Sequence, residues 1–221
     1  MVEMPPQSDR GMARRSLLRN GLLAGLGAVG LTVSLPAFSG VASAATTVNL
    51  NNVTYAAQPN WWYCGKCACC FFSNAAAAPA GVCAAGGHHS GSAQLANYEM
   101  PHGGPKQGSP TTNPYGVQTG WRWCGKCQLI FWGSGVGSSN CPIGGTHTLS
   151  SGTIYDLAWG QIPSTDVYQL NWQFCNQCQA LYWPGRSTNV HMTNGVCPGT
   201  TFPFTGHNTP PGSDYALVIY A

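Results

Sequence analysis

Twelve residues of this chain have the types and spacing to hold metal. Cys64 and Cys67 are followed by Cys83 and His89, Cys124 and Cys127 by Cys141 and His147, and Cys175 and Cys178 by Cys197 and His207. Each set is a Cys-x2-Cys pair, a third Cys after 13 to 18 intervening residues, and then a His. A Cys-x2-Cys turn aims two thiolates at one point, and a second segment completes the tetrahedron. Three sulfurs with one nitrogen suit zinc. Four protein ligands leave no position for water, so the expectation is three structural zinc ions and no catalytic one.

Disulfides are the alternative. Three framework Cys per set cannot pair fully, and nine cannot pair fully at all unless Cys69 or Cys70 joins them. Disulfides also leave the recurring His unexplained. Cys69 and Cys70 align with Leu129 and Ile130 and with Ala180 and Leu181, so they read as small apolar core residues. Lys66 and Lys126 lie inside their Cys turns, where they either offset the negative charge of a zinc tris-thiolate or form a solvated loop tip. Gln177 takes that place in the third set and predicts a weaker site. His88, His102 and His191 have no counterparts and read as surface residues, with His88 an alternative ligand to His89.

The elements that position these ligands repeat. Gln58, Trp61, Tyr63, Cys64 and Cys67 recur as Gln118, Trp121, Trp123, Cys124 and Cys127, and again as Gln169, Trp172, Phe174, Cys175 and Cys178. The copies start 60 and then 51 residues apart. Each ends in a Tyr with an apolar residue two places on: Tyr98 and Met100, Tyr155 and Leu157, Tyr215 and Leu217. His207 stands eight places before Tyr215, as His147 does before Tyr155, which selects it over His191. Trp121 and Trp123 alternate before the Cys turn, and Leu129, Phe131 and Trp132 follow it, the pattern of a hairpin. Gly125 or Asn176 inside the turn is expected to supply a positive φ. Gly, Pro, Ser, Thr and Asn punctuate short aromatic and β-branched runs, which is an all-β reading.

Before the repeats, Arg14-Arg15-Ser16-Leu17-Leu18-Arg19 has the form of a twin-arginine signal. A Gly-rich apolar stretch runs to about Phe38, and Ala42-Ser43-Ala44 offers a cleavage site. The expectation is a signal peptide over 1–44 and one all-β domain over 45–221, with copies at about 55–112, 113–165 and 166–221. The protein is then secreted by the twin-arginine route. That route carries folded proteins, so zinc can occupy the thiolates before export. The mature part holds Lys66, Lys106, Arg122, Lys126 and Arg186 against Glu99, Asp156, Asp166 and Asp214, one net positive charge where the whole chain has +3. No basic footprint for nucleic acid is present, and no membrane insertion of the mature chain is expected.

The Trp-x-aromatic-Cys-x-x-Cys element of all three copies resembles repeats of secreted actinobacterial proteins. So do Cys-Pro-x-Gly-Gly-x-His of the second copy and Gly-x-x-Tyr-x-Leu of the last two. Repeat number, length and terminal Tyr elements also look like a β-trefoil, a fold common among lectins. The resemblance spans Gln58 to Ile219 and implies pseudo-threefold closure with lectin-like recognition. Three zinc-ribbon-like beads in a row are the alternative architecture.

No catalytic set is evident. Glu99 and Asp156 align after the shared Tyr, but the third copy has Ala216 there. The expectation is a non-enzymatic, zinc-stabilised secreted binding module. Its partner is a carbohydrate or cell-envelope polymer, met by uncommitted aromatics and amides. The alternative is an adaptor for a secreted protein partner.

Overall fold

The computed structural model describes residues 46–74, 80–91, 97–104, 115–165, 167–186, 194–200 and 206–220. The expected signal peptide, with Arg14 and Arg15, lies outside them, as do Lys106, Asp166 and His191. All described residues fall in one compact unit, Ala42–Ala221. As expected, this unit is built from β-strands, and its only helical turns among the described residues are 3-10 turns at Gly133–Ser138 and Pro184–Arg186. No described helix is long and apolar enough to cross a membrane.

In the first copy, β2 (Val53–Tyr63) leads into the Cys turn, β3 (Cys70–Phe72) follows it, and β4 (Tyr98–His102) ends the copy. The second copy has β5 (Tyr115–Trp123), β6 (Ile130–Trp132) and β7 (Tyr155–Gly160). The third has β8 (Tyr168–Phe174), β9 (Leu181–Tyr182) and β10 (Asp214–Ile219). The expected hairpin is present, with Trp121 opposite Trp132 and Trp123 opposite Ile130. In each copy the long strand also pairs with the copy's own last strand: β2 with β4, β5 with β7 and β8 with β10. One strand precedes the repeats. β1 (Thr46–Leu50) forms a hairpin with β2 through Asn51 and Asn52. Their φ values of 52° and 64° are those of a type I′ turn, which Asn tolerates.

Positive φ within the Cys turns is not where the sequence suggested. It falls at neither Gly125 nor Asn176 but one residue past the second Cys, at Ala68 (66°), Gln128 (69°) and Gln179 (63°). The reason is a hydrogen bond. The N–H of each of these residues donates to the carbonyl of the first Cys, at 2.8 Å in all three turns, and closing that loop needs a left-handed last residue. Gly125 serves space instead: a Cβ there would stand 2.7 Å from Ser150 Oγ.

Strand pairing joins each copy to both others. The last strands meet with Tyr155 opposite His102, Tyr215 opposite Trp159 and Tyr98 opposite Ile219. The short strands after the Cys turns meet too. Phe72 N–H donates to Gln128 O (2.9 Å), Trp132 N–H to Gln179 O (2.8 Å) and Trp183 N–H to Ala68 O (2.9 Å).

The core is gathered where these strands meet. Trp61, Trp121 and Trp172 are fully buried. Each is struck edge-on by the terminal Tyr of another copy: Trp61 by Tyr155, Trp121 by Tyr215 and Trp172 by Tyr98, with ring centroids 5.2, 5.2 and 5.4 Å apart. Those same Tyr hydroxyls donate to the Gln that opens the Trp's copy: Tyr155 to Gln58, Tyr98 to Gln169, and Tyr215 to Gln118 at 2.8 Å. The repeated Gln is thus a half-buried acceptor for a Tyr from another copy. Cys69 and Cys70 are buried in the same core, as expected, and so are their counterparts Leu129, Ile130, Ala180 and Leu181.

Candidate metal centres

The Cys-x2-Cys turn ends the first long strand of each copy, and the third Cys opens a tight backbone knuckle. In the first two copies that knuckle is closed by Cys83 N–H to Gly87 O and Cys141 N–H to Gly145 O, both 2.8 Å. In the third copy the Thr200 hydroxyl donates to Cys197 O at 2.9 Å. Turn and knuckle face each other, so three thiols converge, and the His follows from the knuckle's far side.

The twelve predicted ligands gather as three buried groups of four: Cys64, Cys67, Cys83 and His89; Cys124, Cys127, Cys141 and His147; Cys175, Cys178, Cys197 and His207. In every group all four donor atoms lie within 4.8 Å of one another. Cys64 and Cys83 Sγ are 3.9 Å apart, and Cys175 and Cys197 Sγ 3.7 Å. His Nδ1 stands 3.4 Å from the sulfur of Cys67, Cys127 and Cys178. A zinc–sulfur bond of about 2.3 Å and a zinc–nitrogen bond of about 2.0 Å predict tetrahedral edges of roughly 3.8 and 3.5 Å. The spacing fits that geometry and is far from a disulfide's bond of about 2.05 Å. All eleven Cys are free thiols. His88 is exposed, its Nδ1 held 2.6 Å from Gly81 O, so His89 is the His that reaches the first group.

The donor sets are electrostatically incomplete without a cation. Hydrogen bonds from neighbouring thiols, first Cys67, hold Cys64 far below the ordinary thiol range. Cys178 does the same to Cys175, and Cys127 brings Cys124 down to about 3. Burial pushes Cys67 and Cys178 the other way. Backbone donors add to the stabilisation of sulfur charge: Thr148 N–H points at Cys124 Sγ and Gly199 N–H at Cys197 Sγ, each at 3.4 Å. Buried thiolates beside an imidazole Nδ1 fit a divalent metal that accepts sulfur and nitrogen.

The other imidazole nitrogen is also used. His147 Nε2 donates to Cys178 O and His207 Nε2 to Cys67 O, both at 3.0 Å. Each bond fixes the tautomer that leaves Nδ1 free to ligate. Each also ties one copy's His to a Cys of another group. His89 Nε2 is buried with no hydrogen-bond partner. Gly81 stands over the Cys127 carbonyl much as Gly195 stands over that of Cys67. An aromatic ring stacks on every ligand His: Phe71 on His89, Phe131 on His147 and Tyr182 on His207, with centroids 5.1, 4.6 and 4.5 Å apart. The sequence named Phe131 only as a hairpin residue and the other two rings not at all, although each lies four residues past the second Cys of its turn.

The two Lys residues act through the backbone. Lys66 Nζ donates to Gly86 O at 2.8 Å and Lys126 Nζ to Gly144 O at 3.3 Å, latching turn to knuckle. In the third group Asn140 Nδ2 donates to Gln177 O at 2.8 Å and carries part of that job from the neighbouring copy.

His102 and Asp156, for which the sequence assigned no site, line one surface pocket of about 630 Å³ between the first and second copies.

Compared with protein-family models, with curated proteins and with solved structures, this chain matches none.

Proposed function

We propose that this protein is a secreted, zinc-stabilised binding module that recognises carbohydrate or cell-envelope polymer. The observation that carries the reading is that each buried group offers four protein donors at tetrahedral spacing. Such a site leaves no coordination position for substrate, so the metal serves folding and function falls to the surface. Zinc is the metal that three sulfurs and one nitrogen favour. The contacts made between every pair of copies support a closed, pseudo-threefold, β-trefoil-like architecture over separate beads: Tyr on Trp, Tyr hydroxyl to Gln, strand on strand. Export by the twin-arginine route accounts for thiols that stay metal-bound outside the cell. Secreted actinobacterial repeat proteins are the resemblance this reading extends.

The adaptor reading has one observation in its favour. Ile143, Leu149 and Ile154 are 48%, 48% and 43% exposed within one short stretch of the second copy. A glycan panel and a pull-down from culture supernatant, both with the zinc-loaded chain, separate the two. Oligosaccharide binding supports the module. A captured secreted protein whose binding is lost in Leu149→Ser, with no glycan bound, supports the adaptor.

A further inference from the structure

We propose that the pocket between the first and second copies, walled by Asp156, His102 and Thr119 and continued past Thr153 to Trp123, binds one neutral oligosaccharide at least two rings long. This rests on the carbohydrate-binding reading above and assigns it a site.

Two surface pockets adjoin there. One, of about 630 Å³, is lined by His102, Thr119, Thr153 and Asp156 among others. The second, of about 380 Å³, shares His102 and Thr153 and adds Gln58, Trp123 and Tyr155. Each volume is in the range of small-ligand sites, and together they form a run longer than one sugar ring.

The first pocket is built around a carboxylate. Asp156 is only 2% exposed, yet it lines the cavity. Gly104 N–H donates to its Oδ2 at 3.3 Å. The backbone approaches this closely because residue 104 is Gly: a Cβ there would stand 1.8 Å from the Tyr55 ring. Gly103 before it turns the chain with φ of 72°. Burial holds the Asp156 carboxyl above its ordinary range, against the pull of Thr119, Gly104 and His102. Such a group gains from further donors, and sugar hydroxyls are donors. His102 is set edge-on to the Tyr155 ring at 6.2 Å and supplies the opposite wall.

Charge narrows the ligand. Arg122 Nη1 is held by the carbonyls of Gly152 (3.1 Å) and Thr153 (3.0 Å), which fixes the pocket rim. Among the described residues, no Lys or Arg lines either pocket. A buried carboxylate with no Lys or Arg in the described lining disfavours phosphate, sulfate and uronate groups. Trp123, half-buried, is fixed by its Nε1 bond to Gln128 Oε1 (3.1 Å) and by an edge contact with Phe72 at 5.2 Å. A fixed indole beside a polar pocket is a surface for the apolar face of a second sugar ring.

The site is single. At the corresponding junctions Glu99 shares a pocket with Ile219, and Tyr215, paired with Trp159, is followed by Ala216, which carries no acid. Among the described residues, acid and imidazole line a shared pocket between the first and second copies.

The test is calorimetric titration of the zinc-loaded full chain with neutral hexose and N-acetylhexosamine mono-, di- and tetrasaccharides, and with an oligouronate. The expected result is one-to-one binding of a neutral oligosaccharide, weaker for its monosaccharide. Asp156→Asn and Trp123→Ala each weaken it by about tenfold or more, with zinc content and melting retained. Should Asp156→Asn lose zinc, His102→Gln reads the same wall. Neutral binding that neither wall variant nor Trp123→Ala reduces overturns the site but leaves the glycan reading standing. Preference for the oligouronate also overturns it. A wild-type chain that binds no saccharide at all overturns both.

Discussion

His207 Nε2 donates to the backbone carbonyl of Cys67 at 3.0 Å, across 140 residues of sequence. One residue belongs to the third Cys-Cys-Cys-His group and the other to the first. His147 makes the same bond to Cys178, between the second and third groups. A metal ion that orders one His therefore also orders a turn holding the next group's thiolates. The consequences below follow from this linkage and from the core around it.

Metal content comes first. Protein purified without added metal is expected to hold close to three zinc ions per chain, one for each buried group. Structural zinc contributes roughly 10–16 kcal/mol to the folding of small domains, so a strong chelator melts the fold and frees all eleven thiols. Elemental analysis with thiol titration checks this. Acid weakens the sites in the same direction, because protons compete with metal for thiolates. A metal-free chain with intact disulfides contradicts the expectation.

Cys124→Ser removes a ligand from the middle group. With the groups linked through His147 and His207, zinc content is expected to fall toward zero and amide protection to be lost in all three copies. Independent beads would hold on to two ions and two protected copies. Retention of three ions and a native melting temperature would remove Cys124 from the ligand set.

Gly195→Ala tests close packing between copies. Gly195 has φ of 69°, and a Cβ there would stand 2.2 Å from Cys67 O, the carbonyl that His207 bonds. Strain and clash together are expected to cost several kcal/mol, with a fall in melting temperature of roughly ten degrees or more. Gly212→Ala is the control: it also has positive φ (77°), but nothing lies within 4 Å of its Cβ position.

Tyr215→Phe leaves the ring on Trp121 and deletes the hydroxyl that donates to Gln118 at 2.8 Å. Gln118 Oε1 keeps its bond from Trp121 Nε1 at 3.1 Å and loses one of two donors, at a cost of about 0.5–1.5 kcal/mol. Denaturant unfolding measures it. Adding Gln118→Leu is expected to lower stability further, since it also takes the acceptor from Trp121 Nε1.

The residues that define the metal groups were legible without coordinates. Thiol and imidazole types, the Cys-x2-Cys spacing, the parity of nine framework Cys and the triple repetition single out all twelve donors, including His207 over His191. Alternating aromatics around short turns also gave β-strands, because side chains alternate faces along a strand. These are local properties, carried by neighbours in the chain.

Tertiary structure decided what depends on distant partners. A positive φ at Ala68, Gln128 and Gln179 rather than at Gly125 follows from a hydrogen bond that closes only once the turn is folded. The repeated Gln and Tyr were visible as a pattern, but nothing in the chain says that Gln58 receives its bond from Tyr155, 97 residues away. β1 has no counterpart among the described residues of the other copies and gained its place by pairing with β2. Asp156 and His102 lie 54 positions apart in the sequence, and only the pairing of β4 with β7 brings them to one pocket. Spacing along a chain determines which atoms can reach one metal ion within a copy. Which copies touch, and through which groups, is set by burying the Trp and Tyr rings together, and that choice exists only in three dimensions.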